Sequence, residues 1–434
     1  MFNKGPPDNI GRQFIVSFME NDQYGSVFPL ELYVTTAEKR DVHVKITSPK
    51  WSQPPVSKTI TVKAGQVVRV KIDDAFRMKG SVKSSKAILV DSDGDISVYG
   101  GNKEDYSNDV FCGIPVDALG NEYYAMCYGP AFRKTEIGVA ATEDGTIVKV
   151  TLPKSPNMTV SFGGKTYHGG EKITIPLDKY ENFQLQSIGD LTGAHIESNH
   201  PISAYSGNIK TNIGSGKWQD HLVEQLTPVD TWGKQFVTAP IPKRTTGDYF
   251  RIVASEDNTV INIAGMPSFT LAKAGDWKQV TLPSNSYKSI NATKPVFMAQ
   301  FVLSQLNAQE PADPSMMIIP PYELFNAGYT FATPEYSHTE YFHYENEVLL
   351  VIKSDKKDGL LLDGLPLPKG TKWHPIEGTN LVGTYVDIPK GSHTVKHKDS
   401  TTIFGSYLYG HAYHESYAFP TGMRLAKINA VSDM

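Results

Sequence analysis

The sequence predicts an all-β chain of four degenerate, sandwich-like repeats packed compactly, with a four- or five-bladed β-propeller as the alternative architecture. Three observations carry that expectation. First, GAHIESNHPISAYSGN (193–208) reads as two short strands around a polar tip, and KAILVDSDGDISVYGGN (86–102) has the same order. SINATKPVFMAQFV (289–302) and HTVKHKDSTTIFGSYLYG (393–410) are weaker echoes. Recurrence at a wide, fairly regular spacing marks an internally repeated chain. Second, apolar and polar residues alternate between Gly-containing turns, the pattern of half-buried antiparallel strands. Third, the stretches between the units end alike: PVDALG (115–120), PVDTWG (228–233) and PYELF (321–325) before Gly328.

The first unit, 11–102, opens with QFIVSFMEN (13–21), continues through LELYVTTAEKRDVHVKI (30–46) and the hairpin ITVKAGQVVRVKI (60–72), and closes on the 86–102 stretch. The second strand group lies within 103–208, a connector followed by EYYAMCY (122–128), TEIGVAATEDGTIVKVTL (135–152) and the closing 193–208 stretch. Glu143-Asp144-Gly145-Thr146 supplies its turn, where Gly accepts positive φ without penalty. The third, within 209–302, has DYFRIVASEDNTVINIAG (248–265) with its turn at Glu256-Asp257-Asn258. The fourth, within 303–420, has NEVLLVIKSDKKDGLLLDG (346–364) and ends in TIFGSYLYGHAYHESYAF. The tail 421–434 is expected to be weakly ordered past its Gly-Met-Arg-Leu segment. Roughly seven or eight strands per unit exceed what a propeller blade needs and suit a small two-sheet sandwich. The connectors' shared Pro, acidic and large apolar residues suggest a turn that plugs one unit against the next, and their aromatic content argues for packed rather than floppy loops.

Composition narrows the function. The chain has 434 residues, 40% of them hydrophobic and 20% charged, which is globular rather than disordered. A net charge of -4 argues against nucleic acid as the main partner. No apolar run is long enough for a transmembrane helix, so no membrane insertion is expected. The opening MFNKGPPDNIGRQF lacks the apolar core of a secretion signal. Either the chain is cytosolic or it is a mature chain with an added Met, and other features favour the second. Cys112 and Cys127 are the two cysteines, and both flank one unit boundary. A disulfide between them would contribute roughly 3 kcal/mol; two free thiols are the alternative. The sequons at Asn157 and Asn291 are glycosylation candidates that fit a secreted protein.

The motifs GRQFIVSFMEN, SDGDISVYGGN, PVDALGNEYYA with PVDTWGKQFV, WQDHLVEQLTP and FGSYLYGHAYHESYAFPTG together resemble the N-terminal domain of IgGFc-binding proteins over nearly the whole chain. The resemblance implies an extracellular, secreted or cell-surface, non-enzymatic binding role, associated with mucus and adhesion. It transfers no residue signature for immunoglobulin. The cysteine-rich von Willebrand type D modules that accompany this domain elsewhere are excluded by a count of two cysteines.

Candidate chemistry is sparse. Asp91, Asp93 and Asp95 are spaced like the start of a Ca²⁺ loop, but the Gly falls one place early and no Glu stands at the twelfth position. A solvated turn is the alternative reading. His411, His414 and Glu415 resemble a zinc-protease motif in composition only, because in a strand a spacing of three puts the two His on opposite faces. His338 and His343 could add ligands only through tertiary structure. Trp218, Asp220 and His221 form the binding candidate: an exposed aromatic beside hydrogen-bonding groups suits a sugar or peptide. Their alternative role is to cap and plug the connector. No G-x-S-x-G elbow or phosphate cradle occurs. The expected function is therefore adhesion or recognition of a glycan or glycoprotein. A self-associating extracellular scaffold comes second, and a metal-dependent hydrolase third. No cofactor is expected beyond the Ca²⁺ alternative.

Overall fold

The computed structural model describes residues 7–22, 28–104, 106–129, 133–306, 313–335, 343–412 and 414–429. These residues form antiparallel strands and five single-turn 3₁₀ segments, with no α-helix among them. Among the described residues no helix is long and apolar enough to cross a membrane.

Three of the four units are organised around one long strand. In the first it is Ile88–Glu104, in the second His195–Thr211 and in the third Ser289–Val302. The stretches expected to form two strands around a polar tip are thus continuous strands. The reason lies in their pairing. Gly11 lies opposite Ile96 and Gln13 opposite Asp91; Gly120 lies opposite Ile202 and Glu122 opposite Glu197; Gly233 lies opposite Val296 and Gln235 opposite Asn291. In all three, the long strand advances five residues while its partner advances two. The surplus is an enlarged bulge, rich in polar residues, and in sequence it mimics a turn.

The strand order around this axis is the same three times. In the first unit it runs Ser57–Val62, Val42–Thr47, the long strand, Leu30–Thr35, Val67–Ile72. The opening strand Gly11–Val16 and the inner strand Ser107–Cys112 also pair with the long strand. The second and third units repeat this order, with inner strands Asp220–Gln225 and Ser315–Ile318. The fourth departs from it. Its long strand is broken into Ser392–His397 and Gly405–Ala412, which lie in separate sheets, and the inner strand Glu415–Pro420 pairs with the second piece. A propeller blade's simple up-and-down order is not what these sheets show.

The units close into a ring. The four inner strands pack successively against one another, the fourth against the first. The apolar cores follow the same cycle. One joins Phe14, Leu32 and Val90 to Tyr205 and Val223; the next joins Ile137 and Phe183 to Phe297 and Phe301; a third joins Phe250 and Ile290 to Leu349 and Tyr407; the last joins Leu350 and Phe419 back to Tyr33 and Tyr99. Every large core is therefore shared by two neighbouring units, so burial binds the ring together as well as each unit.

The connector turns act as expected of plugs. Val116–Ala118, Val229–Thr231 and Tyr322–Leu324 are 3₁₀ turns opened by Pro115, Pro228 and Pro321. Each Pro ring lies against the first Gly of the opening strand of the unit that precedes its connector: a Cβ at Gly11, Gly120 or Gly233 would meet Pro115, Pro228 or Pro321 at 2.4, 2.5 or 2.3 Å. The tail is ordered through 429. Asn9 and Met423 exchange hydrogen bonds, Arg424 N–H donates to the Leu324 carbonyl and Asn429 N–H to that of Asp230. Residues 430–434 lie outside the described residues.

Candidate functional site

The residues proposed from sequence are dispersed. Trp218 is exposed and its ring lies 4.2 Å from that of His414. Asp220 and His221 enter the inner strand and are fully buried. The three do not share one accessible face. Asp91, Asp93 and Asp95 lie along the first long strand rather than in a turn. Gln13 donates to Asp91 (3.1 Å), Arg40 and the His43 N–H to Asp93 (3.2 and 2.9 Å), and Arg12 to Asp95 (2.9 Å). No group of possible metal ligands among the described residues includes them.

His411 and His414 part company. His411 Nε2 lies 3.4 Å from Glu347, whereas His414, at φ +60°, packs on Trp218 and Tyr106. Glu345, Glu347 and His411 do cluster closely enough for a metal. The Lys243 ammonium already stands there, 2.7 Å from Glu347, 2.9 Å from Asp387 and 3.4 Å from Glu345. Partial burial opposes its charge, but hydrogen bonds to Glu347 and Asp387 outweigh that and raise its pKa. Glu415 is buried and accepts from the Tyr344 hydroxyl at 2.7 Å. His338 lies outside the described residues, and His343 is exposed. Cys112 and Cys127 are separate buried thiols, in the core shared by the fourth and first units and in that shared by the second and third. The expected bridge is therefore not formed: the boundary between them is crossed by packing of two different cores. Asn157 and Asn291 are both exposed.

The ring centre explains the buried acids. Each inner strand pairs on one side only, so its far N–H groups need acceptors from elsewhere. Asp109, on the first inner strand, accepts from the N–H of Val223 (3.1 Å) and Met316 (3.5 Å), and that of Ala418 points at the same carboxylate. One side chain thereby reaches the inner strands of the other three units. Glu224 accepts from Ile318 N–H at 3.0 Å and Gln225 from Ile114 N–H at 3.0 Å. Burial pushes Asp109 and Glu224 well above the usual carboxylate range. Asp220 accepts from the N–H groups of Asn108 and His221. His221 lies between Asn102 Nδ2 (2.9 Å) and the Ile209 carbonyl (3.1 Å), and burial lowers its pKa to about 3, so it is neutral. Arg77 and Glu104 pair at 2.7 Å, and Lys103 and Glu31 at 3.1 Å. These groups hold strands together.

A second polar region is open to solvent. Where the third unit meets the fourth, a cleft of about 390 Å³ is floored by the largely buried Phe236, Val237 and Leu381. Gln235 and Asn291 stand opposite each other on adjacent strands, at the bulge, and so share a face. Tyr322 comes from the connector turn, Lys353 from the end of Glu345–Lys353 and Asn380 from the loop beyond Gly378. That loop is fixed. Gly378 has φ +80°, with Ser289 Oγ 3.0 Å from where a Cβ would sit, and Ser289 donates to the Glu377 carbonyl at 2.8 Å. Lys288 pairs with Glu377, and Tyr287 stacks on His374 at 5.0 Å. Sequence reasoning missed this set because its members come from five separate stretches; the one usable signal was that Gln235 and Asn291 occupy equivalent flanks of a repeated bulge.

Fold and sites together define an all-β protein, without an α-helix among the described residues, whose central buried acids accept from backbone N–H groups and whose open cleft carries exposed amides and a lysine. Residues 109–410 match the family described as IgGFc binding protein, and the chain belongs to that family. It is 27% identical over 417 residues to the human IgGFc-binding protein, covering 94% of this chain and 7% of that protein. No solved structure matches it.

Proposed function

We propose that this chain is an extracellular, non-enzymatic recognition module for a glycan or glycoprotein. The observation that carries the reading is family membership together with a match along 94% of the chain to a human protein named for binding IgG Fc. That name belongs to the relative, of which the chain spans a small part. The geometry adds support: the acids and histidine of the ring centre hold backbone groups, whereas amides and a lysine face an open cleft. We read each unit as a two-layered sandwich folded about its long strand, a stiff scaffold on which such surfaces keep their shape.

The test is surface plasmon resonance of the purified chain against mucin-type glycoproteins and IgG Fc, before and after enzymatic deglycosylation. Binding to a glycoprotein that weakens sharply on deglycosylation is the expected result. Absence of binding to every glycoprotein, with filaments growing as concentration rises, would replace recognition by self-association.

A further inference from the structure

The cleft between the third and fourth units has features that select a ligand class. Gln235, Asn291 and Asn380 present amides, each able to donate and accept, and none has a side-chain partner among the described residues. Amides suit neighbouring hydroxyl groups, which also donate and accept. Tyr322, half-buried at the rim, offers an aromatic edge with its hydroxyl unpaired among the described residues. The floor is apolar but small. A cleft of about 390 Å³ has room for a mono- or disaccharide, at the lower end of ligand-site volumes.

Charge narrows the class further. No carboxylate lines the cleft, and the Lys353 ammonium there has no acidic partner among the described residues. Two acids adjoining lining residues in sequence are engaged: Glu323 accepts from the N–H groups of Lys234 and Gln235, and Glu377 pairs with Lys288. The lining is thus neutral except for one cation. A peptide strand would need an unpaired sheet edge, and here one edge of Gly233–Val237 pairs with the long strand while Glu323 accepts from the N–H groups of Lys234 and Gln235.

We propose that this cleft binds an acidic saccharide, with Gln235, Asn291 and Asn380 on its hydroxyls and Lys353 on its anionic group. The inference rests on the recognition reading above and gives it a site. The anionic group is a sugar carboxylate or a sulfate ester, which share the Lys353 contact. Asn291 is itself a sequon residue, so a glycan attached there would remove its free amide from the site.

The experiment uses the full chain made in a bacterial host, so that Asn291 carries no glycan. Saturation-transfer NMR and a glycan array compare sialylated, sulfated and neutral oligosaccharides. The expected result is binding that favours one acidic class, and which class wins identifies the anion. Gln235→Ala and Asn380→Ala, exposed residues whose loss leaves the fold intact by circular dichroism, each weaken binding roughly three- to tenfold. Lys353→Gln removes the preference for acidic over neutral glycans. Binding unchanged in all three variants overturns the cleft assignment and leaves the recognition reading standing. Binding to a glycoprotein that survives deglycosylation overturns the saccharide class and keeps a protein partner. Failure to bind any glycan or glycoprotein overturns both.

Discussion

The ring centre and the cleft between the third and fourth units use similar polar chemistry to opposite ends. At the centre, Asp109 and Glu224 are fully buried and their oxygens satisfy backbone N–H groups on strands that pair on one side only. In the cleft, Gln235, Asn291 and Asn380 face water, and their hydrogen-bonding capacity is directed outward. The difference is one of reference state. A buried acceptor removed from the centre leaves donors with nothing to bond, whereas an exposed amide removed from the cleft is replaced by water. The first set determines stability and the second can determine binding.

Substitutions should separate the two. The largest effect is expected at Asp109: Asp109→Ala strands the Val223 and Met316 N–H groups and should cost about 2–6 kcal/mol in urea unfolding, from roughly 1–3 kcal/mol per orphaned donor. A loss under about 1 kcal/mol would show that water replaces the carboxylate and that the centre is not a dry clasp. Next comes Gly120→Ala, which places a methyl 2.5 Å from Pro228 and should cost about 1–3 kcal/mol by overpacking. Thermal melting of that variant at wild-type temperature would mean the connector turn yields freely.

Proton linkage sharpens the contrast. Burial raises Asp248 and Asp313 to about 7, and Asp248 accepts from the Ile241 N–H at 3.0 Å. Because the folded pKa lies above the unfolded value, the stabilisation is complete below pH 4 or so and is lost as pH rises towards 7. Each group adds a slope of up to about 1.4 kcal/mol per pH unit across that window. Asp248→Asn should flatten the slope between pH 4 and 7 and leave the variant relatively more stable at pH 8. An unchanged slope would remove Asp248 from the titration. The smallest effect belongs to the cleft: Gln235→Ala and Asn380→Ala should change unfolding free energy by less than about 0.5 kcal/mol. A larger loss would show that these amides are structural and undo the contrast.

The thiols give a check of a different kind. Burial raises the pKa of both Cys112 and Cys127, so neither should react with a disulfide reagent in the native chain, and both should react on unfolding. Protection that reductant abolishes would instead restore the disulfide expected from their positions.

Much of the fold was legible in the chain itself. Period-two alternation and Gly-bearing turns placed strands such as Val42–Thr47 and Thr146–Thr151, where every second residue is buried. The repeated PVDALG and PVDTWG endings located the connector turns. The long strands were misread because a five-against-two bulge exposes polar residues as a hairpin tip does, and periodicity cannot tell the two apart. Asp220 and His221 were read as binding groups or as caps of a connector turn, and neither reading places them in an inner strand, because one-sided strand pairing, which requires buried acceptors, has no local pattern.

What the sequence determined alone was local: which segments are extended, where turns interrupt them, and which family motifs recur. Alternation and turn chemistry act between residues close along the chain, so they can be read from it. Tertiary structure decided the ring, the use of Asp109 as an acceptor reaching the other three units, the separation of the two thiols, and the convergence of Gln235, Asn291, Lys353 and Asn380 on one cleft. Those depend on which strand edges and apolar faces meet in space, and residues far apart in the chain carry no local mark of that meeting.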